Sequence, residues 1–278
     1  IGVKNEQLVV IAPLDGSPAE AAGIKSGDII VSIDGVSTQG LALDAGVQKI
    51  RGAGGTKVKL GLLRGKEAIS IEVTRKKITI ESVKSTTIEK NGKTFAVITI
   101  SSFAPDTGAL FRKAAQTMIG KSVDGYILDL RGNPGGYLDQ AVAVASVIIP
   151  DGPIVSEVDR DGVSRDLRAT GNPLLAGRKI VVLVDEGSAS ASEIVAGALQ
   201  DTKRATILGA TTYGKGSVQE VQQLPGGAEL KITVAKWLTP AKRTIQGQGI
   251  TPDKKVSAGK DASKDLQLDA AVQELLGS

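Results

Sequence analysis

Apolar and polar positions follow two different rhythms along this chain. In residues 1 to about 77, short apolar runs alternate with turn residues. LVVIAP (8–13) and DIIVSIDG (28–35) have strand character and end at turn formers. Between them, SPAEAAG (17–23) predicts a short helix: Ser17 is the N-cap, Pro18 takes the first helical position, Glu20 follows three after the cap and Gly23 closes it. LALDAGVQKIRG (41–52) predicts a second helix, closed by Gly52. KVKLGLL (57–63) and AISIEVTRK (68–76) alternate as the arms of a hairpin that turns at Arg64-Gly65-Lys66. These residues read as one small, mostly β module.

Residues 78–278 behave differently. TFAVITI (94–100), GYILDL (125–130), KIVVLVD (179–185) and RATILG (204–209) are continuous apolar runs of the buried-strand type. Helical patterns over 106–119, 137–147 and 189–200 alternate with them, which predicts an α/β domain whose strands are covered on both faces. ELKITVAKWLT (229–239) adds an alternating strand, and DASKDLQLDAAVQELLG (261–277) predicts a terminal amphipathic helix.

Composition changes the picture mainly through two zeros. With no Cys, disulfides and thiolate chemistry are excluded; with no His, the usual zinc sites and every His-based triad are excluded. A hydrolase built from this chain must use Ser or Thr with Lys, paired carboxylates, or a hard metal held by carboxylates. The net charge of +4 comes from interleaved signs, with Arg75-Lys76-Lys77 the one basic run that stands out, and aromatics make up 3% of residues. Nucleic-acid binding is therefore disfavoured. No apolar run approaches the roughly 20 residues that span a bilayer, and the chain opens at Ile1 without a signal-peptide pattern.

Three glycine-containing junctions could carry chemistry. The first is Ile1-Gly2-Val3, read with Ser17-Pro18-Ala19, Ala22-Gly23-Ile24 and Gly27-Asp28-Ile29-Ile30. Together these resemble a bacterial PDZ domain. That resemblance implies a loop, here Ile1-Gly2-Val3, whose N–H groups receive a peptide's terminal carboxylate while the peptide adds as a strand. Leu43 and Val47 on the second helix would wall the side-chain pocket.

The second junction, LDLRGNPGGYLDQAV (128–142), leads from a buried strand into a helix. Gly135 and Gly136 can bring backbone N–H groups to a ligand without interference from a Cβ, as an oxyanion or phosphate requires; a mere tight connection reads the same way. The third, VVLVDEGSASASEIVAGAL (181–199), is a strand, a small-residue turn and a helix, the geometry that exposes a nucleophile. Ser190 also begins S-A-S-E, a capping box with Glu193, and Ser188 could cap one turn earlier, so the sequence leaves the choice among Ser188, Ser190 and Ser192 open. A base is needed, and TTYGKGSVQEV (211–221) places Lys215 between two glycines with Gln219 four residues on. An ordinary lysine, with pKa about 10.4, is protonated near neutrality, so such a base has to be held among apolar groups.

RGNPGG, GSASASEI, YGKGSVQ and WLTPAKRTIQGQGITPD, in this order behind the PDZ-like module, resemble the carboxyl-terminal processing proteases, with the tail-specific proteases in the same group. The resemblance covers essentially the whole chain. It implies an N-terminal, mostly β PDZ domain (1–77) and an α/β protease core (78–278) of ClpP/crotonase-like ββα repeats. It implies a serine endopeptidase that selects substrate C-termini and cuts with a Ser–Lys dyad: Ser190 as nucleophile, Lys215 as base, Gln219 supporting the lysine. The oxyanion would be held by the N–H of Ala191 and of Gly135 or Gly136. No metal or cofactor is called for. The partners implied are peptide or protein C-termini, with no nucleic acid and no membrane span in this chain, and the location implied is extracytoplasmic: periplasm, cell envelope or thylakoid lumen. Arg75, at the end of the module, is a candidate switch between peptide binding and catalysis, or simply a hinge charge. The resemblance leaves the oligomeric state open.

One departure is that Ala241-Lys242 stand in a turn where the family commonly has glycine. Two other function classes fit parts of the pattern. One is a catalytically silent peptide-binding scaffold in which Ser190 only caps a helix. The other is a crotonase-like enzyme holding a thioester oxyanion, which would leave the PDZ-like module and GKGSVQ without a purpose.

Overall fold

The structure is a computed structural model. It describes every residue except 5, 6, 11, 12, 14–16, 78–80, 224–228, 260–263 and 278; for residues 4, 219–223 and 229–231 it describes the backbone alone. The chain divides into two units, Ile1–Ile80 and Glu81–Ser278.

The first unit contains β1 (Gly2–Lys4), β2 (Gln7–Val9), α1 (Pro18–Ala21), β3 (Ile29–Ile33), β4 (Val36–Ser37), α2 (Leu43–Ile50), β5 (Lys57–Arg64) and β6 (Glu67–Thr74). Its strands form one sheet in the order β1-β2-β3-β5-β6, with β4 on β3. Leu8, Ile30, Ile33, Leu60 and Leu62 fill its core. As the sequence predicts, Ser17 Oγ accepts the Glu20 N–H at 3.2 Å and Pro18 opens α1. The end of α2 differs from expectation. Gly52 does not close it, because the helix stops at Ile50 and Arg51 is extended. The Arg75 guanidinium takes the terminal carbonyls instead, donating to Lys49 O at 3.0 Å and Ile50 O at 2.7 Å. It also donates to Lys57 O and Thr56 Oγ1, so one cation caps the helix and pins the following turn. Opposite α1, buried Asp28 receives Arg64 on both oxygens at 2.7 Å and the Lys25 N–H at 2.8 Å. The Arg64 bond holds its carboxyl below the usual carboxylate range against the opposing effect of burial.

The second unit contains β7 (Val83–Lys90), β8 (Lys93–Ile100), α3 (Thr107–Gly120), β9 (Gly125–Asp129), α4 (Leu138–Ser146), β10 (Pro153–Asp159), β11 (Ser164–Arg168), β12 (Ile180–Val184), α5 (Ala191–Asp201), β13 (Thr206–Gly209), β14 (Ser217–Gln223), β15 (Glu229–Leu238), β16 (Lys254–Lys255) and α6 (Leu266–Gly277). A six-stranded sheet runs β16-β13-β12-β9-β8-β7, parallel except for the β7–β8 hairpin. Every residue of β9 and β12 is buried, which explains their unbroken apolar runs. One face packs against α3, α4 and α5 through residues such as Phe111, Val144 and Ile194. The other face sets Phe95, Ile127 and Leu183 against Val272 and Leu275 of α6.

A second sheet, antiparallel and ordered β11-β10-β15-β14, departs from the expectation of a single α/β sheet with one added strand. Its β11 and the edge strand β7 are largely exposed and carry no apolar run, so the hydrophobic pattern could not reveal them. The turn that departs from the family pattern puts Lys242 at φ 61°, a left-handed conformation that favours glycine. Its Nζ reaches Ser156 Oγ at 2.6 Å and Asp166 Oδ1 at 2.9 Å, which offsets that cost. Among the described residues, no helix is long and apolar enough to cross a membrane.

Candidate active site

The loops that follow β9, β12 and β13 meet at the C-terminal end of the parallel sheet, where the crevices of open α/β sheets lie. The middle loop carries the three serines. Ser188 is fully buried; its Oγ donates to Leu130 O at 2.8 Å and accepts the Asp185 N–H at 3.0 Å. Ser192 is fully buried as well, its Oγ donating to Asn133 O at 3.0 Å. Ser190 alone of the three keeps solvent access. Its backbone is strained, at φ 54° and ψ −112°. A non-glycine residue persists there only when its surroundings enforce it, as at a sharp strand-to-helix turn that pushes a side chain outward.

Glu193 does the enforcing. This carboxylate is 0% exposed and accepts four donors. Oε2 takes the N–H of Ser190 at 2.8 Å and of Lys215 at 2.9 Å; Oε1 takes the Gly214 N–H at 2.6 Å and the Thr212 hydroxyl at 2.5 Å. The backbones of Ser190 and Lys215 therefore lie within two hydrogen-bond lengths of each other across one oxygen. The first of these bonds is the Glu193 half of the capping box read from the sequence. The other three tie in a loop about twenty residues downstream, which sequence reasoning missed. An S-x-x-E signature gives no sign of a second client.

The lysine's loop is clamped on its far side too. The Trp237 indole donates to Lys215 O at 3.0 Å, the Trp237 N–H to Gly216 O at 3.0 Å, and Gly216 N–H reaches Gln246 Oε1 at 2.9 Å. Lys215 itself is half-buried. Gln219 lies on β14 opposite Thr233; its side chain is outside the described residues.

The loop after β9 closes the third side. Asn133, fully buried, donates through Nδ2 to Ile100 O at 2.7 Å and receives the Ala189 N–H on its carbonyl at 3.0 Å. Its Oδ1 takes the Gly135 N–H at 2.9 Å. Gly135, at φ 98°, lies so close to the serine turn that a Cβ on it would sit 2.8 Å from Ser190 Cβ and 3.0 Å from Ala191 N. At Gly136, φ 147°, a Cβ would sit 2.1 Å from Phe103 O. The N–H of Ala191 and that of Gly136 find no acceptor among the described residues. Gly135 and Gly136 were interchangeable in the sequence; here one N–H is spent inside the loop and the other is free. Tyr137 and Tyr213, one residue from Gly136 and two from Lys215, are 57% and 68% exposed, and the sequence had not singled them out.

The candidate peptide site belongs to the first unit. Among the described residues β1 is an edge strand, paired on β2 alone, with Ile1 and Val3 exposed and Gly2 half-buried. Leu43 and Val47 are half-buried, one turn apart on α2, and the helix approaches the sheet closely at Gly46, where a Cβ would meet Leu8 at 2.5 Å. A cavity of about 330 Å³ opens at the other end of α2 between Ile50, Val58, Leu60 and Val73, and neither Leu43 nor Val47 lines it. Arg75 borders this cavity, its guanidinium engaged with the α2 end.

Comparisons with known proteins agree with this layout. A family model described as peptidase family S41 matches residues 94–256, and a PDZ domain model matches residues 1–63. A probable CtpA-like serine protease of Staphylococcus aureus (strain COL) is 41% identical over 266 residues, covering 95% of this chain and 53% of that protein. A carboxyl-terminal-processing protease of Synechocystis sp. is 39% identical over 286 residues, covering 100% of this chain and 67% of that protein. The solved structure of a photosystem II D1 C-terminal processing protease superposes with a TM-score of 0.62 at 32% identity, covering 99% of this chain and 73% of that one. This chain thus spans about half the length of the staphylococcal relatives it matches.

Proposed function

This chain belongs to peptidase family S41, with a PDZ domain ahead of the peptidase region, and from that premise we propose that it is a serine endopeptidase that captures substrate C-termini and cuts near them with Ser190 and Lys215. The observation that carries the reading is the oxygen of Glu193 shared by the Ser190 and Lys215 N–H groups, beside N–H groups on Ala191 and Gly136 that find no acceptor among the described residues. A buried carboxylate that joins two distant loops spends its hydrogen-bonding capacity on holding one geometry, as preorganised catalysis requires.

The chemistry runs in two halves. Ser190 Oγ attacks the substrate carbonyl while Lys215 Nζ, in its unprotonated form, takes the hydroxyl proton. The oxyanion lies between the N–H of Ala191 and that of Gly136, with no reorganisation needed at the moment of reaction; one such donor contributes about 3 kcal/mol. Collapse expels the amine, which takes the proton from Lys215, and water then hydrolyses the acyl-enzyme by the same route. Gln219 supports the lysine in this reading, and Arg75 relays peptide occupancy. The PDZ domain takes the substrate carboxylate at Ile1-Gly2-Val3, the chain adding beside edge strand β1 with Leu43 and Val47 as side-chain walls. The enzyme works outside the cytoplasm, as its relatives' class suggests.

The test is cleavage of an unfolded protein with a free C-terminus by wild type, Ser190→Ala and Lys215→Ala. Each substitution is expected to lower kcat by at least about 10⁴-fold while leaving the melting temperature near wild type. Amidating the substrate's C-terminus raises KM without altering the cut. Cleavage that persists in Ser190→Ala refutes the reading.

A further inference from the structure

At the opposite end of the parallel sheet from Ser190, strand pairing gathers charges that the sequence keeps apart. β12 and β13 pair in parallel with Val181 opposite Thr206. That register sets Arg178-Lys179, which lead into β12, beside Lys203-Arg204, which lead into β13. A cavity of about 570 Å³ opens between them, bounded further by Lys254 and Glu274.

Five cations and two carboxylates line it. Both carboxylates are occupied: Glu274 pairs with Lys254, and Asp253 accepts from Gln200 Nε2 at 3.0 Å and from the Ile207 N–H at 2.8 Å. Arg178, Lys179, Lys203 and Arg204 are all exposed, and no ion pair or side-chain hydrogen bond holds any of them among the described residues. Like charges set side by side repel; with Lys254 and Glu274 paired, four cations share the cavity with the one remaining carboxylate, Asp253, so its lining stays net positive.

Lys203 adds a second observation. It follows α5 at φ 56°, with its N–H on Gln200 O and the Arg204 N–H on Leu199 O, a helix-ending turn that glycine usually fills. A cation there interacts well with the helix C-terminus. That accounts for Lys203 and Arg204 but not for Arg178 and Lys179, which precede β12 and line the same cavity.

We propose that this cavity is a binding site for a multiply charged, phosphate-bearing anion. Two arginines offer planar forks that match phosphate oxygens, and two lysines add point charges from the same two loops. The volume is large enough for several linked phosphoryl groups or a phosphodiester headgroup. Because β12 separates it from Ser190 by about 16 Å of strand, at roughly 3.3 Å per residue, occupancy does not compete with substrate at the serine.

The test is isothermal titration of the whole chain with tripolyphosphate at low salt, comparing wild type with Arg178→Gln/Lys179→Gln, Lys203→Gln/Arg204→Gln and a control, Lys90→Gln/Lys93→Gln, that removes the same charge from the β7–β8 turn. Saturable one-site binding is expected, weakened at least about tenfold in either pocket variant and unchanged in the control. Sedimentation with phosphatidylglycerol vesicles, against phosphatidylcholine, separates the two sources. Vesicle capture that tripolyphosphate reverses assigns a lipid headgroup, and tripolyphosphate binding without capture assigns a soluble polyanion. Absence of saturable binding in both arms, or equal weakening by the control, overturns the proposal. Both readouts are independent of peptide cleavage.

Discussion

Removing the Glu193 carboxylate separates its role as an anchor from its role as a charge. In Glu193→Ala, the N–H groups of Ser190, Gly214 and Lys215 and the Thr212 hydroxyl lose their acceptor at a site with no solvent exposure. At about 1–3 kcal/mol for each stranded donor, the loss is about 4–12 kcal/mol, comparable to the whole stability of a domain. Glu193→Gln behaves differently, because the two ends of the carboxylate have unlike partners. On the Oε1 side, the Thr212 hydroxyl can reverse and accept from the new NH2 group, but it already accepts the Ile250 N–H at 2.7 Å, so its own proton is stranded along with the Gly214 N–H. On the Oε2 side, both partners are N–H groups that can only donate. The glutamine therefore turns its oxygen to Ser190 and Lys215, and the cost is two stranded donors, about 2–6 kcal/mol. For a unit of this size that is a fall in Tm of about 4–24 °C. Calorimetry and cleavage of a quenched peptide read the two effects. Glu193→Gln is expected to keep kcat within about tenfold of wild type, and Glu193→Ala to lose the cooperative transition or at least about 10²-fold in kcat. An active Glu193→Ala with wild-type Tm, or a Glu193→Gln as damaged as the alanine, refutes the reasoning.

Three further outcomes follow from the same geometry. Gly135→Ala forces a side chain into φ 98° and to within 3.0 Å of Ala189 O, Ser190 Cβ and Ala191 N; peptide cleavage falls at least about 10²-fold, and an active variant would contradict this packing. Arg75→Ala uncaps α2 and destabilises the PDZ unit by about 1–3 kcal/mol, read as faster amide exchange over residues 43–51. Arg75→Lys does not rescue it, since an ammonium cannot span four acceptors in one plane. Asp28 titrates below its usual range through its bond to Arg64. Its contribution is therefore present above the unfolded carboxyl pKa, near 4, and is lost as pH falls through the lower folded value. Acid titration below pH 4, followed by exchange over residues 57–64, should show this loss in wild type and not in Asp28→Asn.

What the sequence determined is local. Unbroken apolar runs marked β9 and β12 because a strand buried on both faces has no polar side to show. Ser17-Pro18-x-Glu20 marked α1 because a cap acts within one turn. The absence of His and Cys left Ser with Lys among the few hydrolytic pairs available. The exposed strands β7 and β11 escaped because pairing, not hydrophobic pattern, makes them strands.

What only the tertiary structure decided concerns partners distant in sequence. Ser188 and Ser192 differ from Ser190 because loop 130–135 supplies carbonyl acceptors to the first two, and no local pattern encodes that. Gly136 differs from Gly135 because Asn133 folds back onto one N–H and not the other. Glu193 looks like an ordinary cap until the loop after β13 arrives at both of its oxygens. Arg178-Lys179 and Lys203-Arg204 become one site through strand register. The reason is common to the first three: a hydrogen-bonding group buried in a close-packed interior must find its partner wherever the chain brings one. Hydrophobic periodicity fixes which elements are buried, and their packing decides which donors remain free.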